Sequence, residues 1–173
     1  MENFRFMSRF NQWVNSRLYA VVGQLPEEQY RREMGAFFGS IERTLNHLMI
    51  VDRMWISRFT GDNTDDIQTA RDILHPTFPG LLKAREAMDL YITATVDRLR
   101  GEDMDRSYTF VYKTSGTEGT MFGRHMLLAM FNHQTHHRGQ VHCMLTQLGY
   151  EIPGLDVPPY VRDHPPSSAR LYT

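Results

Sequence analysis

Apolar side chains recur at every third or fourth position through four long stretches of this chain, and glycine or proline punctuates each stretch. That period puts one apolar stripe along a helix, so the chain is committed to helices that bury their stripes against one another. In the first stretch Phe6, Phe10, Val14, Leu18 and Val22 fall every fourth residue until Gly23 and Pro26 interrupt them. After the polar stretch Glu27 to Arg32, a second helix is predicted from about Met34 to Phe59. It carries Phe38, Ile41, Leu45, Leu48, Trp55 and Phe59, and Gly61-Asp62-Asn63 ends it. A proline-bounded loop (His75-Pro76, Phe78-Pro79-Gly80) leads to a third, with Leu81, Met88, Ile92, Val96 and Leu99 before Gly101. The fourth runs from about Met121 to Leu148, with Gly149 as its cap and Pro153 beyond. Before it, Tyr108, Phe110 and Tyr112 alternate, and the turn-forming run Thr114 to Gly119 predicts a short hairpin or extended lid. The expected fold is all-α, a four-helix bundle with that excursion before its last helix, followed by an irregular proline-rich tail.

Composition narrows the setting. The 173 residues suit one domain, and 41% hydrophobic with 23% charged residues is ordinary for a globular protein. Nineteen basic and twenty acidic residues give a formal charge of −1, and only Lys83 and Lys113 are lysines. A phosphate-tracking surface leaves a stronger basic footprint, so nucleic acid is not an expected partner. The start, Met1-Glu2-Asn3-Phe4-Arg5-Phe6, has no apolar leader, and the longest apolar run is Met126 to Phe131. No membrane span and a cytoplasmic location are therefore expected. The single cysteine, Cys143, fits a reducing compartment.

The most informative segment is Phe131-Asn132-His133-Gln134-Thr135-His136-His137-Arg138-Gly139-Gln140 in the fourth stretch. On a helix, positions i and i+4 lie on one face, so His133 and His137 can converge on one ion, with a third ligand required from elsewhere. The second stretch offers His47. With Glu42, Asn46 and Arg53 as its solvent edge, His47 falls about 120° from that edge at about 100° per residue. On the fourth helix His133 and His137 share a stripe with Met126, Met130, Gln140, Val141 and Met144. His142 falls on the opposite side with Arg124, Thr135 and Arg138; a solvated His142 is expected there, and a solvated or dimer-interface charge at Arg138. His136 lies on the flank, able to support the site or to be exposed.

Other polar residues have plainer readings. Asp52 occupies a stripe position otherwise apolar, and Arg85 interrupts the third helix in the same way, so the two are expected to pair across helices. Support of the metal site is the alternative for Asp52. Gln140 can reach the site or cap a neighbour. Cys143 is expected as a buried thiol and the methionines Met121, Met126, Met130 and Met144 as core.

Leu45-Asn46-His47 followed by Asp52 and Trp55, and then Asn132 to Gln140 with Leu148-Gly149 behind them, resemble the DinB family. Leu155-Asp156-Val157-Pro158-Pro159-Tyr160 is similar to that family's usual end. The resemblance implies an up-down-down-up bundle over residues 1–160, a tail over 161–173, and a homodimer. It also implies a divalent metal held by His47, His133 and His137 with an open coordination position. Relatives in the wider superfamily transfer low-molecular-weight thiols or are described as metal-dependent hydrolases.

The expected chemistry follows from three neutral imidazoles, which leave a divalent ion its charge and an open position. Zinc and nickel suit such ligands, and iron is also accepted. A small-molecule substrate, a thiol among the candidates, is expected for a thiol transferase or hydrolase; the alternative is a structural metal in a stress-response protein. An H-E-x-x-H protease is excluded, because Gln134 stands where that motif needs a glutamate and an amide takes no proton. No catalytic residue beyond the ligands can be named.

Overall fold

A computed structural model describes residues 1–113 and 115–165. In chain order the elements are α1 (Glu2–Val22), α2 (Glu27–Arg31), α3 (Ile41–Thr60), α4 (Phe78–Arg98), α5 (Gly101–Asp105), β1 (Ser107–Val111), β2 (Glu118–Phe122), α6 (Gly123–Gln147) and α7 (Val157–Asp163). The four long helices are those expected from the periodicity. One boundary differs: residues 34–40, predicted helical, form a tight turn. Gly35 and Gly39 take φ of 71° and 85°, a region that only glycine enters at little cost, and Met34 N–H donates to the Gly39 carbonyl at 2.8 Å. Helix α3 begins only after Ser40, whose hydroxyl accepts from Arg43 N–H at 3.2 Å as an N-cap. The polar stretch before it contains the short α2.

Chain direction follows from which residues meet. Arg9 pairs with Asp97 and Asn15 with Asp89, so α1 and α4 are antiparallel. Asp52 meets Arg85, and Ile56 shares a cluster with Ile92, so α3 and α4 are parallel. His47 meets His137 and Asp52 meets Gln134, while Leu45 shares a cluster with Leu145 and Ile56 with Leu127, so α3 and α6 are antiparallel. Phe4 packs in the cluster of Leu127, and Val22 in that of Leu145, so α1 and α6 are parallel. The result is an up-down-down-up bundle whose ring order is α1, α4, α3, α6.

The hairpin pairs Ser107 with Phe122 through Val111 with Glu118, antiparallel. Two of its three alternating aromatics, Tyr108 and Phe110, land on the C-terminal half of α3, and Tyr112 is exposed. Tyr108 packs edge-on to Phe59 at 5.1 Å between centroids, and Phe110 to Trp55 at 6.0 Å. The Arg58 guanidinium lies between the Trp55 and Phe110 rings, 3.9 and 3.6 Å from their centroids. Residues 157–163 are helical where prolines suggested irregular chain, because Pro158 and Pro159 stand in the first turn of α7, where a missing N–H costs nothing. Tyr160 of α7 is buried against Phe6, Phe10 and Trp13. The remainder of the expected tail, 166–173, lies outside the described residues.

The bundle interior is layered. One apolar cluster gathers Leu18, Val22, Ile41, Leu45, Leu81, Val141 and Leu145 at one end; a second gathers Ile56, Ile92, Val96, Leu127 and Phe131 at the other. Between them lies a buried polar layer. Asp52 (0% exposed), Arg85 (2%), Asp89 (3%) and Arg138 (4%) contribute two charges of each sign. Arg85 Nη1 reaches Asp52 Oδ2 at 2.6 Å, and its Nη2 reaches Asp89 Oδ1 at 2.8 Å. Asn11 and Asn15, one turn apart on α1, each donate an amide N–H to Asp89 and accept from Arg138. Gln134 donates to Asp52. The expected Asp52–Arg85 pair is thus present, whereas Arg138, expected in solvent or at a dimer interface, is a core residue.

Burial pushes the Asp89 carboxyl up, with Arg85 and Asn15 pulling against it. Burial works against the Arg85 charge too, but Asp89 and Asp52 outweigh it and hold the guanidinium proton more tightly than usual. Breaking one member therefore strands the others. Asp52→Ala should cost about 3–5 kcal/mol, read as a lower urea midpoint, while the double change Asp52→Leu with Arg85→Met should recover part of the loss, because Asp89 loses Arg85 but keeps Asn11 and Asn15 as donors. Equal loss in the single and double variants would show that side-chain volume rather than charge pairing matters there.

Candidate metal centre

Helix α3 presents His47 and α6 presents His133 and His137 on their facing edges. One ring nitrogen from each lies within 4.8 Å of the other two. The ring centroids are 4.9 Å (His47–His133), 4.7 Å (His47–His137) and 4.3 Å (His133–His137) apart. The structure therefore brings together all three histidines expected to hold a metal. His47 and His137 are buried and His133 is half-buried. His142 is exposed on the opposite face, as its wheel position requires.

Hydrogen bonds fix which nitrogens are free. His47 Nδ1–H donates to the Ala70 carbonyl at 2.8 Å, which leaves a lone pair on Nε2. His137 Nδ1–H donates to Gln140 Oε1 at 2.8 Å, with the same consequence. Gln140 Nε2 in turn donates to His136 Nε2 at 3.2 Å, so the exposed His136 acts on the centre at one remove. His47 Nε2 and His133 Nε2 stand 3.0 Å apart. A proton between them satisfies only that pair, whereas a cation satisfies the inward nitrogens of all three rings and lets the buried His133 Nδ1, without a partner here, carry the remaining hydrogen.

Electrostatics make all three rings neutral. Burial lowers His47 to about 4, against the Ala70 hydrogen bond and with His137 and Arg71 adding to the fall. Burial, then His137 and His47, lowers His133 to about 3. Burial also lowers His137. Neutral imidazoles are the metal-binding form, so the donor set fits a divalent transition metal.

Several supporting residues were not legible in the periodicity. Asn46, expected at the solvent edge of its helix, is fully buried because loop 61–77 covers that face. Its side chain accepts from His75 N–H at 2.9 Å and donates to the His75 carbonyl at 3.2 Å. The same loop carries Ala70. Phe38, expected on a helical stripe, comes instead from the turn before α3 and stacks on His47, with centroids 3.9 Å apart and planes 25° apart. Arg71 covers Phe37 and Phe38 from outside. A backbone carbonyl and a ring from a turn leave no helical signal. Cys143, expected to be buried, is exposed. Met126, Met130 and Met144 are core, as expected.

These three imidazoles have folded values below the ordinary one of about 6.5, so the unfolded chain takes up protons first. Their contribution to stability is fully present above about pH 6.5 and is lost as pH falls through the folded values. The urea midpoint should accordingly drop between about pH 7 and pH 4.5, and drop less in His133→Leu. A midpoint flat across that range in the wild type would contradict neutral, buried imidazoles.

Comparison with known proteins places the arrangement. A sequence profile described as "DinB family" matches residues 1–167. Protein DinB of Bacillus subtilis (strain 168) is 28% identical over 156 residues, covering 87% of this chain and 89% of that protein. A crystal structure of a DinB-like protein from Bacillus cereus ATCC 10987 superposes with a TM-score of 0.67 at 17% identity, over 89% of this chain and 96% of the other. A DinB-like protein from Bacillus subtilis gives a TM-score of 0.64 at 14% identity, over 87% and 97%. The two solved structures carry the fold. Among the described residues no helix is long and apolar enough to cross a membrane.

Proposed function

This chain belongs to the DinB family, and on that premise we propose that it binds one divalent transition metal through His47, His133 and His137 and acts with it on a small molecule. The observation that carries the proposal is the pair of outer hydrogen bonds, from His47 to Ala70 and from His137 to Gln140, which turn two Nε2 lone pairs inward beside His133 Nε2. A set of histidines packed only for stability has no need of that common orientation. Zinc or nickel is the proposed ion, with iron as the third candidate on ligand type.

Such an ion, when bound, supplies Lewis acidity that makes a water or a thiol nucleophilic near neutral pH. The protein's own residues set the conditions. Ala70 and Gln140 hold the ligand rings, and Phe38 shields His47 from water. Gln134 donates to Asp52 in the polar layer. It therefore neither faces the centre nor accepts a proton, which sets the site apart from H-E-x-x-H proteases. Thiol transfer or hydrolysis of a small substrate is the proposed reaction class. The near-neutral net charge of −1 favours such a substrate over nucleic acid.

A structural ion that clamps α3 to α6 is the second reading, favoured by the burial of His47 and His137. The half-buried His133 favours the open site. Untagged protein should carry about one transition metal per chain by elemental analysis, sharply reduced in His133→Ala and retained in His142→Ala. Equal retention in both variants would remove the centre. Cobalt-loaded protein should then gain a sulfur-to-metal absorption band with 2-mercaptoethanol. A spectrum unchanged by the thiol would favour the closed, structural ion.

A further inference from the structure

The three-histidine cluster has no acidic group to balance a cation. Both groups that orient its rings from outside, the Ala70 carbonyl and the Gln140 amide, are uncharged. Among the described residues no carboxylate joins the cluster, and none is among the charges that shift His47, His133 or His137. A divalent ion held there keeps its full charge, of which one thiolate cancels only half. A substrate that brings a second negative charge is therefore favoured over one that does not.

The basic side chains against loop 61–77 show where that second charge is received. Arg53 is held by Asp66 at 2.7 and 2.9 Å, Lys113 donates to the Ile67 carbonyl at 2.8 Å, and Arg31 donates to the Pro76 carbonyl at 2.8 Å. Arg71, the residue after Ala70, differs. Its guanidinium lies over the rings of Phe37 and Phe38, 5.0 and 5.3 Å from their centroids, and no acceptor holds it among the described residues. Asp72 beside it is spent on the N–H groups of Gln68 and Thr69, at 2.7 and 3.0 Å, and on the Thr69 hydroxyl at 2.6 Å. Contact with aromatic rings uses none of the guanidinium's N–H donors, whose fork matches a carboxylate. The position is close to the histidines, because Phe38 itself stacks on His47, and burial, then His137 and Arg71, lower that ring. It is also open to solvent, since Arg71 is exposed and Phe37 beneath it is 68% exposed.

We propose that Arg71 is a specificity-determining residue of the centre and binds a carboxylate on the substrate, whose thiol end takes the open coordination position. The substrate class is then a thiol acid. This inference rests on the open metal centre proposed above.

Three thiols of equal length test it: 6-mercaptohexanoate, 6-mercaptohexanol and 6-aminohexane-1-thiol, titrated into the cobalt-loaded full chain and followed at the sulfur-to-metal absorption band. The long methylene chain keeps thiol acidity nearly the same across the set. The acid should bind at least about fivefold more tightly than the alcohol, the ratio expected from one hydrogen bond of ordinary net strength, and the amine more weakly than either. Arg71→Gln should bring the acid within about twofold of the alcohol, leaving only the screened attraction of the ion. Metal content and the affinity for the alcohol should stay at wild-type values in that variant, because Arg71 rests on phenylalanine rings and not on a ligand. Arg124→Gln, an equal loss of charge at an exposed position on the opposite face of α6, should leave the preference intact. Equal binding of acid and alcohol to the wild type, a preference that survives Arg71→Gln, or loss of metal from Arg71→Gln would overturn the proposal and leave the open centre standing. No band with any of the three thiols would instead remove the open centre, and this inference with it.

Discussion

The charged layer at mid-bundle is the constraint that the rest of the structure obeys. Two carboxylates and two guanidiniums cannot leave water singly, because the cost of an unpaired buried charge exceeds what most side-chain contacts return. Asp52 is on α3, Arg85 and Asp89 on α4, Arg138 on α6, and the two asparagines that bridge Asp89 to Arg138 are on α1. Only one mutual register of the four helices satisfies this set. The apolar clusters on either side are less demanding, since leucines and isoleucines tolerate a helix sliding or rotating far better than a guanidinium does.

That register also sets the three-histidine cluster. Gln134 lies between His133 and His137 in sequence and is tied to Asp52, so α6 cannot rotate about its axis without breaking the layer. The rotation that seats Gln134 inward puts His133 and His137 on the edge facing α3, opposite His47. On the outer side, loop 61–77 completes the orientation of His47. Arg53 holds the loop through Asp66 at 2.7 and 2.9 Å, and Asn46 holds it at His75. Lys113 from the hairpin side donates to the Ile67 carbonyl at 2.8 Å. Ala70 therefore presents its carbonyl from a fixed loop.

Local pattern makes part of the fold and of the site legible in the sequence. The four long helices, the pairing of Asp52 with Arg85 and the inward direction of His47, His133 and His137 follow from positions on a wheel, and the hairpin from alternation and turn-forming residues. A single-stripe reading puts Arg138 in solvent or at a dimer interface, but α6 is buried on two faces, one toward α3 and one toward α1, and Arg138 lies on the second. Asn46 was misplaced for a similar reason, since a loop distant in sequence covers it. Phe38 fits the stripe of the following helix by spacing alone, but Gly35 and Gly39 turn the chain before the helix can start. What remained hidden in each case depends on contacts between segments far apart in the chain.

The proposed centre requires that these three imidazoles, and not merely their helices, converge on one ion. X-ray absorption at the edge of the bound metal, on untagged protein loaded with zinc or nickel, tests it most directly. Three imidazole scatterers at about 2.0–2.1 Å are expected, and two after His47→Ala. A first shell without imidazole scattering, or one unchanged by the loss of His47, would contradict it.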